Sequence, residues 1–187
     1  HIAEESMVLL KNADDILPLK ASEKVAFIGG FAKKPRFQGG GSSHINCFKV
    51  TNAFDSVPSD AQVIYAEGFP ADRDLYDDTL AAEALKTAGN ADKVVIFAGL
   101  PDSFESEGYD RSHMRLPECQ NRLIAEILKV QPNAVIVLHN GSPVEMPWLS
   151  DVKGLLEAYL GGQAGGAAVA NILYGKVNPS GKLAETM

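Results

Sequence analysis

Val94-Val-Ile-Phe-Ala98, then Gly99, then the acidic segment Pro101-Asp-Ser-Phe-Glu-Ser-Glu-Gly-Tyr-Asp-Arg-Ser-His113: the fold turns on this stretch. Five apolar residues in a row, mostly β-branched or aromatic, leave no polar face for water. Such a run reads as a strand covered on both sides, as in a parallel sheet. Upstream, Val25-Ala-Phe-Ile-Gly29 and Val63-Ile-Tyr-Ala66 repeat the pattern. Downstream, Ala134-Val-Ile-Val-Leu138 and Leu155-Leu-Glu-Ala-Tyr159 do the same.

Helical patterns lie between these runs. Asp72 to Thr87 puts Tyr76, Leu80 and Ala84 on one stripe. Pro117 to Val130 pairs Leu123 with Ile127 and Ile124 with Leu128, with Pro117 suited to a first helical turn. Gln163 to Tyr174 gathers Val169, Ile172 and Leu173, and Gly175 suits the left-handed residue that ends a helix. The alternation predicts an α/β fold: a mostly parallel sheet of five or six strands with helices on both faces, a flavodoxin-like α/β sandwich.

Sheets of this kind place their chemistry in loops beyond the carboxyl ends of the strands. Three loops qualify: Arg36 to His44 after the first run, Pro101 to His113 after the third, and His139 to Trp148 after the fourth. All three are expected on one edge.

The bulk properties narrow the chemistry. The chain has 187 residues, 45% hydrophobic and 22% charged, enough for one domain with a substantial core. Its net charge of -7, with no Lys/Arg cluster to offset it, argues against a nucleic-acid partner. No apolar run reaches about 20 residues, so no membrane span is expected. Cys47 and Cys119 are too few for a disulfide framework; two buried free thiols are expected, and they favour a cytoplasmic location over a secreted one. The chain opens on His1 rather than Met, so a preceding segment, and any leader with it, is expected to have been removed.

In the acidic loop, Glu105, Glu107 and Asp110 fall within six residues, with Arg111 beside them. Carboxyls at the end of a buried strand serve as general acids or bases when burial or like charges raise their pKa; a solvated acidic loop reads the same way in residue types alone. Arg111 is placed to pair with Asp110 and leave one glutamate free. The run Gly39-Gly-Gly-Ser-Ser43 is either a flexible connection or a cradle for a polyol or phosphate. It lacks the Gly-Lys-Ser/Thr of a P-loop and the spaced third glycine of a dinucleotide fingerprint. Gly161-Gly-Gln-Ala-Gly-Gly166 suits tight packing of the last helix, or an anion at its N-terminus. His44, His113 and His139 share no metal-ligand spacing, so no metal and no cofactor is expected. His139 reads as a satisfied polar residue at a strand end. Trp148 reads as core, or as a platform for a sugar ring.

Together these segments resemble the second domain of family 3 glycoside hydrolases. Ala3-Glu-Glu-Ser-Met-Val-Leu-Leu-Lys-Asn12 with Leu17-Pro-Leu19 looks like the passage out of that family's first domain. Glu105-Ser-Glu-Gly-Tyr-Asp-Arg111 with Leu116-Pro117 looks like its acid/base loop. Asn140-Gly-Ser-Pro-Val144, Gly161-Gly-Gln163 and Gly175-Lys-Val-Asn-Pro-Ser-Gly-Lys-Leu183 follow in order. Any one piece is weak; five in sequence are specific, and they cover nearly the whole chain.

The resemblance implies a retaining, exo-acting β-glucosidase acting on a β-glucoside or oligosaccharide. It implies an aspartate nucleophile on an N-terminal (β/α)8 barrel, which this chain does not contain, and an acid/base glutamate supplied from here. Residues 1–20 would then be an interdomain linker and entry segment, and 21–187 the C-terminal domain. Glu107, directly before Gly-Tyr-Asp-Arg, matches the acid/base; Glu105 is its rival. Gly40, Gly41, Ser42, Ser43, Asp110 and Arg111 become candidate substrate contacts. The chain alone is expected to be inactive. Two readings compete. A flavodoxin-like phosphate- or nucleotide-binding domain would use Gly39–Ser43 with Lys33, Lys34 and Arg36. A free-standing carbohydrate-binding module would need coplanar exposed aromatics, and the chain has one Trp.

Overall fold

The computed structural model describes residues 1–186. Six strands form one sheet: β1 (Val8–Asn12), β2 (Lys24–Ile28), β3 (Gln62–Ala66), β4 (Lys93–Gly99), β5 (Ala134–His139) and β6 (Gly154–Glu157). Their order is β1-β6-β5-β4-β2-β3. Every pairing is parallel except that of β1 with β6. The four helices are α1 (Ile2–Ser6), α2 (Asp78–Gly89), α3 (Glu118–Val130) and α4 (Gly165–Leu173).

The apolar runs form strands because both faces are covered. On β2, Ala26 and Ile28 point toward α2 and α3, where they meet Ala84, Leu123 and Ile127. Val25 and Phe27 point the other way, toward Val169 and Leu173 of α4. β4 and β5 divide their side chains in the same manner. Residues of this chain close both layers, so each core is complete within it.

Two features were not legible in the sequence. β1 lies inside the segment read as an entry linker, yet Val8 pairs with Glu157 and extends the sheet as an antiparallel edge. α2 begins at Asp78 rather than Asp72. The Asp77 side chain accepts from the N–H groups of Thr79 (2.9 Å) and Leu80 (3.0 Å), which caps the helix there. The residues before it serve a different helix: Asp74 accepts from the N–H groups of Glu118 and Cys119 and caps α3 from outside. Gly175 follows α4 with φ +69°, as expected of a helix-ending glycine.

Chain direction reverses between β2 and β4. From β2 the chain moves outward to β3; from β4 it moves the other way, to β5. Such a switch point leaves a crevice outside the carboxyl ends of the two strands. The backbone there is tightly held. Gln120 of α3, buried, accepts from Gly99 N–H and donates to Gly99 C=O, both at 2.9 Å. Gly99 itself runs so close to β5 that a Cβ would fall on the His139 carbonyl. Gly99→Ala is therefore expected to destabilise the domain by about 1–3 kcal/mol, the usual cost of overpacking a core. Urea denaturation would measure it; an unchanged midpoint would contradict the close approach.

Candidate active site

Three loops meet beyond the strand ends, and Glu105 joins them. Arg36, from the loop after β2, is buried. Its Nε donates to Asp102 (3.1 Å), its Nη1 to the Glu105 carboxylate, and its Nη2 to the Glu105 carbonyl (2.8 Å). From the loop after β5, Gly141 N–H donates to Glu105 Oε2 (2.9 Å) and the Ser142 hydroxyl donates to Oε1. Burial pushes the Glu105 carboxyl up, but hydrogen bonds from Ser142, Arg36 and Gly141, with the Arg36 charge, outweigh it and hold the pKa below the usual range. Glu105 is an ionised carboxylate held by three donors.

Glu107 is placed differently. Ser106 bridges to Tyr109, so Glu107 and Gly108 form the tip of a tight turn, with Gly108 at φ +95°. The Gly39–Ser43 run packs directly against this tip. A Cβ on Gly41 would lie 2.5 Å from Glu107 Cβ, and one on Gly40 would lie 2.5 Å from the Ser106 hydroxyl. Gly41, at φ +86°, turns the chain so that Ser42 N–H donates to Glu107 Oε2 at 2.6 Å. Glu107 remains exposed to water. Hydrogen bonding from the Ser42 side chain and backbone draws its pKa below the ordinary carboxylate value.

The geometry thus divides two neighbouring glutamates: one locked by a cation, one presented to solvent at the switch point. Comparison with known proteins identifies the family. The model of the glycosyl hydrolase family 3 C-terminal domain matches residues 7–187. The chain belongs to that family. It is 56% identical to the thermostable β-glucosidase B of Acetivibrio thermocellus over 98% of its length, and 44% identical to an exo-α-(1->6)-L-arabinopyranosidase of Bifidobacterium longum over 99%. It superposes on the crystal structure of a family 3 β-glucosidase from Bifidobacterium adolescentis with a TM-score of 0.94 at 50% identity, covering 99% of this chain and 27% of that one. The chain spans 25% and 26% of the two curated relatives' lengths.

Within this family 3 domain, several other sequence expectations are revised. Arg111 does not pair with Asp110. Its Nη2 donates to the Ser142 hydroxyl and to the Pro143 carbonyl, both at 2.9 Å, and its Nη1 is buried without a partner. Asp110 is exposed and forms no ion pair among the described residues. Ser43 closes the turn at Gly41–Ser43, its hydroxyl 3.5 Å from the Gly40 carbonyl. His139 is buried with Nε2 unpaired; burial, and then the Arg36 charge, push its pKa down to about 4, so it is neutral rather than satisfied. Trp148 is core, its indole N–H donating to Asn121 (3.0 Å). Cys119 is buried and Cys47 is partly exposed, both free.

A phosphate cradle loses two of its three cations. Arg36 is spent on Asp102 and Glu105, and Lys33 sits over the rings of Tyr65 (3.8 Å) and Phe54 (4.4 Å). The Ser42 N–H that such a cradle would use already holds a carboxylate. Among the described residues, no three His, Cys, Asp or Glu side chains gather as a metal-binding cluster, and no helix is long and apolar enough to cross a membrane.

Removing Arg36 would leave Glu105 without a cation partner among the described residues. Arg36→Ala is expected to cost about 3 kcal/mol, the low end for breaking a buried pair, because Gly141 and Ser142 still hold the carboxylate. The contribution of Glu105 is present above the ordinary carboxyl range and lost as pH falls through its depressed pKa. The gap in stability between Arg36→Ala and the unaltered chain should therefore narrow in acid. A gap that stays constant from pH 7 to about pH 3 would rule out the pairing as its source.

Proposed function

We propose that this domain supplies Glu107 as the acid/base of a retaining, exo-acting glycosidase of the β-glucosidase type. The nucleophile lies on a (β/α)8 barrel elsewhere in a longer protein. The observation that carries the reading is the division between the two glutamates. Glu105 is held by Arg36, Gly141 and Ser142, whereas Glu107 stands on a turn tip, exposed, aimed by Ser42. A group that gives and takes a proton must reach its substrate, and the Glu105 carboxylate is held by three donors with its side chain 19% exposed, whereas Glu107 is open to water.

Retention requires two carboxyls about 5–5.5 Å apart, one attacking the anomeric carbon and the other protonating the leaving oxygen and then activating water. The proton donor needs a raised pKa. Glu107 in this chain has the opposite shift. Docking against a second domain would supply what is missing: desolvation and the like charge of the nucleophile both push the acid up. Exposed Ile45, Phe48, Tyr109 and Met114, all on the loops that leave β2 and β4, suit the same arrangement, since uncovered apolar surface marks contact with another body. On this reading residues 1–20 lead in from the barrel, with β1 tying that passage to the sheet. Gly40 and Gly41 keep the loop close to the acid, while Ser42, Ser43, Asp110 and Arg111 border the sugar site. Two free cysteines favour a cytoplasmic parent protein over a secreted one.

The test uses the complete enzyme. Glu107→Ala should slow substrates with poor leaving groups by about 10²–10⁴-fold and activated aryl glucosides much less, with azide restoring turnover. Glu105→Ala should instead lower stability along with activity and show no azide rescue. If azide rescues Glu105→Ala and not Glu107→Ala, the two roles are reversed. The isolated chain should not hydrolyse aryl β-glucosides above background; turnover that survives repurification and is lost in Glu107→Gln would contradict a nucleophile located elsewhere.

A further inference from the structure

Glu157 is a carboxyl in an apolar place. It ends β6, flanked by Leu138 of β5 and Val8 of β1, and its exposure is 0%. No cation among the described residues pairs with it. Two N–H donors reach it: Tyr159 N–H to Oε1 at 2.9 Å, and Asn140 Nδ2 to Oε2 at 3.2 Å. A leucine would fill such a site at lower cost, because a buried carboxyl must give up either its charge or its hydration.

Asn140 is also fully buried, and the same Nδ2 donates to the Ser142 carbonyl at 3.1 Å. That bond closes the turn whose Gly141 N–H and Ser142 hydroxyl hold the Glu105 carboxylate, and whose Ser142 hydroxyl and Pro143 carbonyl hold Arg111. Both ends of the Glu105–Arg111 loop therefore touch one turn, with Arg36 holding the Glu105 end as well, and the Asn140 amide braces that turn.

We propose that Glu157 is a positioning residue for the acid loop: through the Asn140 amide it fixes the turn that holds Glu105 and Arg111, and so sets where Glu107 is presented. The charged and titratable groups facing it are Glu105 across the turn, Glu185 from the C-terminal segment, and Tyr159. Burial above all, with the charges of Glu185 and Glu105, pushes its pKa up to about 8, against the two hydrogen bonds. Glu157 is thus neutral through most of the physiological range. The stability its protonated form contributes is complete below the ordinary carboxyl range and is lost as pH rises through about 8. Ionisation there adds a buried negative charge behind the turn and tightens its hold on the Asn140 amide, which pulls on the Ser142 carbonyl.

The role rests on the glycosidase reading for its kinetic consequence only, and the test separates the two. The side-chain carboxyl carbons of this chain are titrated by NMR. Glu105 should show, besides its own acid step, a second inflection near pH 8 that coincides with the Glu157 midpoint. Glu157→Gln should abolish that inflection and leave the acid step in place. Asn140→Ala should abolish it while Glu157 still ionises. Absence of the inflection in the unaltered chain overturns the proposal even if a variant fails to fold, as does its survival in Glu157→Gln. Survival in Asn140→Ala would assign the coupling to the direct field between two carboxyls and overturn the relay. In the complete enzyme, kcat should carry an alkaline step near pH 8 that Glu157→Gln removes, with KM changed by less than about twofold. An enzyme without glycosidase activity would sink the functional reading and leave the Glu105 titration to decide this one.

Discussion

Arg36 sits between the loops that leave β2 and β4, buried, with its guanidinium shared by Asp102, the Glu105 carboxylate and the Glu105 carbonyl. Because the sheet reverses direction between those two strands, their loops diverge and nothing in the sheet itself would hold them together. A buried cation with planar, forked donors does so, and it needs a carboxylate to offset its desolvation. Glu105 meets that need. Once it does, the path of the next residues is set: the turn at Glu107 and Gly108 comes to rest on Gly40 and Gly41, and Ser42 N–H finds the second carboxylate. The glycines follow from this closeness, since Gly41 has no room for a side chain beside Glu107.

The sheet was readable because its strands are covered on both faces and carry unbroken apolar runs. Val94 to Ala98 and Ala134 to Leu138 can hardly be anything else. β1 escaped notice for the converse reason. Val8-Leu-Leu-Lys-Asn12 is short, ends in polar residues, and pairs along one side only, with a strand about 150 residues away in sequence. The start of α2 was misplaced because Tyr76 continues the stripe of Leu80 and Ala84, although Asp77 caps the helix after it. No local pattern distinguishes a helical tyrosine from one that packs just before the cap.

The candidate site was legible as chemistry but not as a division of labour. Four carboxylates on one loop and a glycine run on another pointed to the edge where the structure brings those two loops together. Which glutamate is tied and which is presented depends on Arg36, 69 residues before Glu105, and on Ser142, 37 residues after it. Arg111, the obvious local counter-charge, turns away to the loop after β5. Glu157 carried no signal, because a glutamate in an apolar run looks like an exposed strand position until its neighbours are known.

The account therefore rests on one contrast of environment. In this chain Glu107 faces water, accepts from Ser42 and lies below the ordinary carboxylate range. On the proposed reading the same carboxyl must hold a proton near neutral pH in the complete enzyme, and a second domain with its own carboxylate would provide that change. The direct measurement is the Glu107 pKa in two settings, the isolated chain and the complete enzyme, by NMR of a side chain labelled at that position. The account predicts a value below the ordinary range in the chain and one raised by about two units or more in the complete enzyme. Equal values in both settings would contradict it.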